Sequence, residues 1–187
     1  MWLDQVKQVY GDDLQVNWKV FCLTQVNQKV GEGYQVWEEP DEKLPADLWG
    51  LRAGIAARRQ KEELYWRVHL LILRARHEDR KDLGDKEMLR DVALKAGLDV
   101  ERFMEDLDDR GTLQEIAQSH QEAVEQFGVF GTPTFVFPNG ASAFLKLLSP
   151  ATQEEALKTF ETLMVLMENE RFVGEVKRPQ PPWPKGP

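Results

Sequence analysis

The sequence predicts an α/β fold that carries a large helical insertion. One apolar stretch of strand type, Leu14–Leu23, lies near the start, and two more, Thr134–Phe137 and Ala141–Leu145, lie near the end. Between them, residues 48–127 have an almost continuous helical pattern, and an amphipathic helix follows over residues 152–169. Since domains average roughly 100 to 200 residues, a chain of 187 residues is one domain with room for an insertion.

Composition and charge exclude several classes of protein. Hydrophobic residues make up 42% of the chain and charged residues 30%, which is enough for a folded core and excludes wholesale disorder. The 24 Lys and Arg against 32 Asp and Glu give a net charge of −8, which repels nucleic acid and anionic lipid. No run approaches the ~18 apolar residues of a membrane span, and no basic leader follows Met1. We therefore expect a cytoplasmic protein with no nucleic-acid or membrane partner.

The first elements are predicted to be a helix and a strand. Trp2–Tyr10 has its apolar residues at helical spacing, although nothing ahead of Trp2 can cap the helix. Apolar and polar residues alternate along Leu14–Leu23, and this period of two predicts a strand whose buried end is Val20–Leu23. Residues 24–49, with two glycines and two prolines, are predicted to form an ordered loop.

The helical block is predicted to contain five helices, with glycines at positions 84, 97, 111 and 128 as breaks. The helices are Leu51–Gln60, Lys61–His77, Asp85–Ala96, Asp99–Asp108 and Thr112–Phe127. Asp85 and Asp99 are predicted N-caps, and the spacing of Thr112 and Glu115 is that of a capping box.

The last third of the chain changes from helical period to strand period. Thr134–Phe137 and Ala141–Leu145 flank a Pro-Asn-Gly turn and are predicted to form a hairpin. A capping box at Thr152 and Glu155 begins the final helix. The last nine residues contain five prolines, so the tail is expected to be extended and flexible.

The segment Val129–Val136 reads Val-Phe-Gly-Thr-Pro-Thr-Phe-Val and resembles the cis-proline loop of the DsbA-like branch of the thioredoxin superfamily. The order of the predicted elements is also similar to that branch, and the chain looks closest to its FrnE-like members. The resemblance implies a thioredoxin-like fold with a large helical insertion. The thioredoxin-like half would comprise residues 1–47 and 129–172, the inserted helical subdomain residues 48–128, and the Pro-rich tail residues 173–187.

The resemblance also implies a function and a binding site. Members of this family exchange thiols and disulfides with protein or small-thiol substrates and need no cofactor for this exchange. In them the residues at Gly131, Thr132 and Pro133 bind substrate, which pairs with the loop in the manner of a β-strand. We therefore expect a cis bond between Thr132 and Pro133 and a substrate-binding role for these three residues.

One feature departs from the family pattern. The family's Cys-x-x-Cys pair stands at the start of the first helix, whereas this chain has a single cysteine, Cys22. The pair and the first strand of the sheet would both precede Met1. We therefore expect an N-terminally truncated chain that lacks the first strand, contains no catalytic residue and is inactive alone. Two alternatives are a non-catalytic peptide-binding module of thioredoxin fold and a relative of the glutathione-dependent isomerases.

Other residues with reactive or ligating side chains are predicted to be structural. Cys22, at the buried end of a strand, is expected to act as a small hydrophobe. His69 and His77 lie eight residues apart, about 80° around a helix, unlike the i, i+4 pair that binds zinc. His120 follows Ser119 without the Gly-x-Ser-x-Gly turn of a serine hydrolase. No metal site is predicted.

Overall fold

The computed structural model describes residues 2–31, 33–147, 152–170 and 172–174. Packing contacts divide these residues into two compact units. Trp18–Phe130 forms one, called here the helical unit. Residues 2–17, together with the described residues from Gly131 onward, form the other, called the hairpin unit. The predicted Pro-rich tail lies outside the described residues from position 175.

The helical unit is arranged around one central helix. Its helices are α2 (Leu23–Asn27), α3 (Ala46–Gln60), α4 (Glu62–His77), α5 (Lys86–Ala96), α6 (Val100–Asp108) and α7 (Gly111–Phe127). Helix α3 packs against each of α4 to α7. It can do so because small residues such as Ala53, Ala56 and Ala57 are fully buried along it and allow close approach. Larger buried side chains, such as Phe103 and Leu107, come from the surrounding helices.

Gly54 marks the closest approach between α3 and α4. A Cβ atom placed on Gly54 would lie 2.9 Å from Cε2 of Tyr65, whose ring is only 4% exposed. The buried ring cannot swing away freely. We expect Gly54→Ala to lower the free energy of unfolding by about 1 to 3 kcal/mol, measured by urea denaturation, although alanine favours the helix.

The matched control is the same change in a Tyr65→Leu background. Leucine has no atom at the Cε2 position, so the overlap disappears there. In that background Gly54→Ala should be neutral or stabilise by up to ~1 kcal/mol, because alanine has the higher helix propensity. An equal loss of stability in both backgrounds would contradict this account.

The hairpin unit contains a small sheet and two helices that lie far apart in the sequence and contact each other. Its elements are α1 (Trp2–Tyr10), β1 (Thr134–Val136), β2 (Ser142–Phe144), α8 (Gln153–Met164) and a π-helical turn over Val165–Asn169. The Nε1 atom of Trp2 donates a hydrogen bond to the carbonyl oxygen of Ala156 (3.1 Å), which ties α1 to α8. The Trp2 ring also lies 6.1 Å from the rings of Phe135 and Phe160. Trp2 of α1 thus contacts both β1 and α8.

Strands β1 and β2 pair in antiparallel register, with Thr134 opposite Phe144 and Val136 opposite Ser142. Gly140, in the turn between them, has φ of +82°, a conformation that glycine adopts without steric cost. The predicted hairpin is confirmed.

Three of the four predicted helix caps are confirmed. The Asp85 side chain accepts hydrogen bonds from the backbone of α5, and Asp99 does so for α6. Thr152 and Glu155 form the complete capping box of α8.

The predicted capping box at Thr112 is wrong. Helix α7 begins one residue earlier, at Gly111, and the Thr112 hydroxyl donates to the carbonyl oxygen of Asp109. It also accepts a hydrogen bond from Arg52, while the Glu115 carboxylate binds Arg59. Both side chains bind arginines of α3, and the local sequence does not reveal these contacts.

The predicted strand over Leu14–Leu23 is also not observed. Burial does alternate along it: residues 14, 16, 18 and 20 are more buried than residues 15, 17 and 19. The only sheet among the described residues is the two-stranded one, however, and α2 begins at Leu23. A period of two sets which side chains turn inward, but a strand also needs a partner for its backbone.

Residues 18–47 pack within the helical unit, including α2 and the first residues of α3. The sequence predicts that these residues belong to the thioredoxin-like half, which it places at residues 1–47 and 129–172. The predicted loop over residues 24–49 is partly helical, because α2 covers its first residues and α3 its last.

Candidate functional site

The loop ahead of β1 holds its first residue inward and exposes the next two. Gly131 is buried, and a Cβ atom there would lie 3.1 Å from the Phe144 ring of β2. Thr132 and Pro133 are exposed, and the peptide bond between them is cis. The Thr134 hydroxyl donates to the carbonyl oxygen of Gly131 (2.7 Å), which closes the loop.

The backbone of Thr132 is left available by this arrangement. The carbonyl oxygen of Gly131 is occupied by Thr134, and that of Pro133 accepts the backbone N–H of Leu145 (3.1 Å). No hydrogen bond among the described residues involves the Thr132 backbone. Both carbonyls beside Thr132 are thus fixed, while its own N–H and C=O are available to an extended chain.

Strand β1 has a second edge, which faces away from β2. Pro133 and Phe137 form hydrogen bonds with the other arm of the hairpin, so alternation along the strand turns Thr134 and Val136 the opposite way. Within the described residues no strand pairs with this edge. The side chains of Val136 and Phe144, on one face of the hairpin, are 44% and 39% exposed.

Cys22 lies elsewhere, in the helical unit, and its side chain is fully buried. Its backbone N–H donates to Nδ1 of His120 (3.3 Å). Burial raises the pKa of the Cys22 thiol to about 11, although backbone hydrogen bonds from Gln25 and Thr24 act to lower it. The thiol is therefore protonated and enclosed at neutral pH.

Most of the chain, including this loop, matches a known protein family. The model of the DSBA-like thioredoxin domain matches residues 3–160. The chain belongs to the DSBA-like thioredoxin family. No curated protein matched the chain. The predicted α/β fold with a helical insertion is confirmed by this match, and the family is one of thiol-disulfide oxidoreductases.

A DSBA-like domain exchanges disulfides through a pair of cysteines, and this chain has only one cysteine. Cys22 does not have the properties of a nucleophile, because reactive cysteines are partly exposed and have a lowered pKa. Its raised pKa and its burial agree with the predicted role as a small hydrophobe.

We expect Cys22 of this DSBA-like domain to resist alkylation. With a pKa of about 11, only about a thousandth of the thiol is ionised at pH 8, and burial blocks the reagent as well. Iodoacetamide at pH 8 should leave the folded protein unmodified by mass spectrometry, whereas protein in concentrated urea should be modified completely. Stoichiometric modification without urea would show that the site opens readily.

Ser119 and His120 have structural partners. The Ser119 hydroxyl donates to the carbonyl oxygen of Val20 (2.9 Å), so it does not point at His120 as a nucleophile would. The His120 ring packs against the rings of Phe21 and Trp37. Burial lowers the pKa of His120, and its neutral form is the one that can accept from Cys22.

His69 and His77 lie apart on α4. His69 is half-buried, with its ring 4.8 Å from that of Trp18 and stacked on Tyr65, whereas His77 ends the helix in an exposed position. Among the described residues, no group of three His, Cys, Asp or Glu side chains could hold a metal ion. None of the helices described here is long and apolar enough to cross a membrane.

Sequence reasoning named the loop residues but missed the contact between Cys22 and His120. These two residues are 98 positions apart, and no local spacing connects them. It also could not show that the Thr132 backbone is available, because that depends on which hydrogen bonds the hairpin forms.

Proposed function

We propose that this chain is the substrate-binding part of a FrnE-like, cytoplasmic DsbA-family thiol-disulfide oxidoreductase. Gly131, Thr132 and Pro133 bind a protein or small-thiol substrate. The chain is inactive alone because it lacks the cysteine pair. The observation that carries the proposal is that Thr132 is an exposed residue whose backbone forms no hydrogen bond within the described residues.

Each loop residue has a separate part in binding. Gly131 allows the loop to pack closely on Phe144, whose ring would have to shift to admit a side chain at this position. The N–H and C=O of Thr132 pair with the backbone of an extended substrate, as one strand pairs with another. Pro133 has no N–H, so it places no competing donor at the point where the substrate sulfur lies.

The chemistry of the family requires two thiols. A thiolate attacks one sulfur of the substrate disulfide, which forms a mixed disulfide and releases the other sulfur as a thiolate. A second thiolate then attacks the mixed disulfide, so that the enzyme becomes oxidised and the substrate fully reduced. The reverse sequence oxidises a substrate dithiol. The loop orients the substrate chain for either direction.

We further propose that the cysteine pair and a strand that completes the sheet precede residue 1 in a longer natural polypeptide. The free edge of β1, at Thr134 and Val136, supports this proposal, because no described strand pairs with this edge and a strand ahead of residue 1 would supply the missing partner. The test is to read the gene in frame upstream of the codon for Met1. A stop codon close upstream, with no strand pattern and no Cys-x-x-Cys, would refute it.

Substrate binding is tested with a ligand that cannot exchange disulfides. The probe is a fluorescently labelled insulin B chain whose cysteines are carboxymethylated, and its binding is followed by anisotropy. Thr132→Ala keeps the backbone and should bind as the unchanged protein does. Thr132→Pro removes the N–H donor and should weaken binding about fivefold.

One control accompanies this test. Thermal unfolding should show that Thr132→Pro remains folded. Equal binding by Thr132→Ala and Thr132→Pro would refute backbone pairing at this residue.

The second candidate is a non-catalytic peptide-binding module, which the burial of the single cysteine favours. The insulin reduction assay with dithiothreitol addresses catalysis. We expect no turnover above that of dithiothreitol alone. Clear turnover would show that Cys22 takes part in exchange and would overturn both candidates.

A further inference from the structure

A polar groove lies on the helical unit, between α7 and the 3₁₀ turn Val36–Glu38. Its volume is about 530 Å³, within the range of roughly 300 to 1,000 Å³ of small-ligand sites. Its lining combines buried apolar groups, Trp37 and Leu113, with exposed amide side chains. Nothing in the proposed redox function uses this groove.

Three glutamines line one side of the groove. Gln114, Gln118 and Gln121 are exposed and stand at positions i, i+4 and i+7 of α7, so they share one face of the helix. At 1.5 Å per residue they cover about 10 Å along the axis. An extended polypeptide rises about 3.3 Å per residue, so three residues of such a chain match this length.

The side-chain amides of Gln114, Gln118 and Gln121 favour a polypeptide backbone as their ligand. Each primary amide carries donors and an acceptor side by side, and a peptide group needs one of each. A fourth amide, Gln35, lines the groove as well, and its Oε1 accepts from Nε1 of Trp37 (2.7 Å), which fixes its orientation.

The charges of the lining disfavour anionic ligands. Arg110 is the cation of the lining, and its guanidinium already binds the Asp41 carboxylate and the carbonyl oxygen of Glu39. Glu38, also in the lining, is an exposed acid. The charges of Arg110 and Glu38 cancel, so the lining offers phosphate groups and nucleic acid no unpaired positive charge.

The burial of Trp37 disfavours sugars. Carbohydrate sites stack a sugar on an open aromatic face, whereas the Trp37 ring is only 7% exposed and also contacts His120. A neutral extended peptide needs no such face.

We propose that this groove binds a short, uncharged, extended segment of polypeptide, with Gln114, Gln118 and Gln121 pairing with its backbone. The occupant is about three residues long. This site is independent of the loop at Thr132, so either proposal can fail without the other.

The experiment follows the side-chain amide signals of glutamine by nuclear magnetic resonance in the full chain. The probe is the blocked tetrapeptide acetyl-Ser-Val-Ser-Val-amide, titrated to about 10 mM, a range suited to weak binding. We expect the amide signals of the three glutamines to shift with a millimolar dissociation constant. The triple variant Gln114→Ala, Gln118→Ala, Gln121→Ala should bind about tenfold more weakly, as followed by backbone signals of Gln35 and Trp37.

The matched control is Gln126→Ala, an exposed glutamine of the same helix outside the groove, which should bind as the unchanged protein does. Alanine favours helix, so none of these variants should unfold α7. Absence of shifts at 10 mM would overturn the proposal. So would equal weakening by Gln126→Ala, or equal shifts with maltose, which would assign the groove to sugars.

Discussion

Replacing Arg52 by alanine should lower the free energy of unfolding by about 3 kcal/mol, the lower end of the range for breaking a buried charge pair. The Arg52 side chain is fully buried in the helical unit. Its Nε donates to the Thr112 hydroxyl (3.1 Å), and Nη1 lies 3.4 Å from the Asp41 carboxylate. The guanidinium also lies 4.2 Å from the centre of the Trp49 ring. Truncation removes these interactions at once and leaves a cavity in a closely packed core.

The expected loss is at the lower end of the range for a buried charge pair because Asp41 is not left as an unpaired charge. Its carboxylate is 35% exposed and retains a second partner, Arg110. The loss therefore comes mainly from packing and from the hydrogen bond that Arg52 donates to the Thr112 hydroxyl, which keeps its own bond to Asp109. Urea denaturation followed by the fluorescence of the six tryptophans measures the change.

Two variants separate packing from charge. Arg52→Met keeps an unbranched chain beside Trp49 and removes Nη2, which has no hydrogen-bond partner among the described residues. It should cost less than about 1 kcal/mol. Arg110→Ala removes the other arginine of Asp41, but that side chain is 46% exposed and should also cost less than about 1 kcal/mol. If Arg110→Ala is as damaging as Arg52→Ala, burial is not the cause.

Stability should decrease as the pH falls from about 6.5 to about 4, and His69 should account for a large part of the loss. Burial lowers the pKa of His69 from 6.5 to about 4 in the folded protein. Between these values the unfolded chain binds a proton that the folded chain does not, so the free energy of unfolding rises with pH. Below about pH 4 both states are protonated, and this residue causes no further loss. We expect about 2 kcal/mol in total, less than the full shift implies because the ring is half-buried.

The measurement compares the unchanged protein with His69→Phe from pH 7 to pH 4.5. Phenylalanine keeps an aromatic ring between Trp18 and Tyr65 and cannot bind a proton. Carboxylates titrate in both proteins, so their effects cancel in the difference. As the pH falls, the unchanged protein should lose stability relative to His69→Phe, whatever the difference between the two proteins at pH 7. Parallel curves would show that His69 is not responsible.

His120 should leave a smaller dependence of the same sign in the His69→Phe variant. Burial lowers its pKa as well, and its Nδ1 accepts the backbone N–H of Cys22 only when that nitrogen is unprotonated. Protonation turns this acceptor into a donor facing another donor. The residual loss of stability should therefore begin below the ordinary pKa of histidine.

The candidate loop shows how far sequence reasoning reached at the site. The motif around Thr132 and Pro133 placed a loop directly before a strand, and the structure has that loop with both residues exposed. The availability of the Thr132 backbone followed only from the structure, because it depends on the bonds of Gly131 and Pro133 to other residues. The family match covers the loop, and the binding role remains a proposal.

What the sequence by itself determined are features that depend on near neighbours. The start of α8 at a capping box, the N-caps Asp85 and Asp99, and the alternating burial along residues 14–20 each depend on side chains within a few positions. Helical hydrogen bonds span four residues and the strand period spans two, so a short stretch of sequence contains the required information.

Only the tertiary structure decided which distant groups meet. The Thr112 hydroxyl accepts a hydrogen bond from Arg52 instead of forming a capping box, and the backbone N–H of Cys22 donates to His120. Leu14–Leu23 has no strand partner among the described residues. Each outcome depends on a hydrogen-bond partner supplied from far along the chain. A buried polar group takes the partner that packing brings within about 3 Å, and local sequence does not specify that partner.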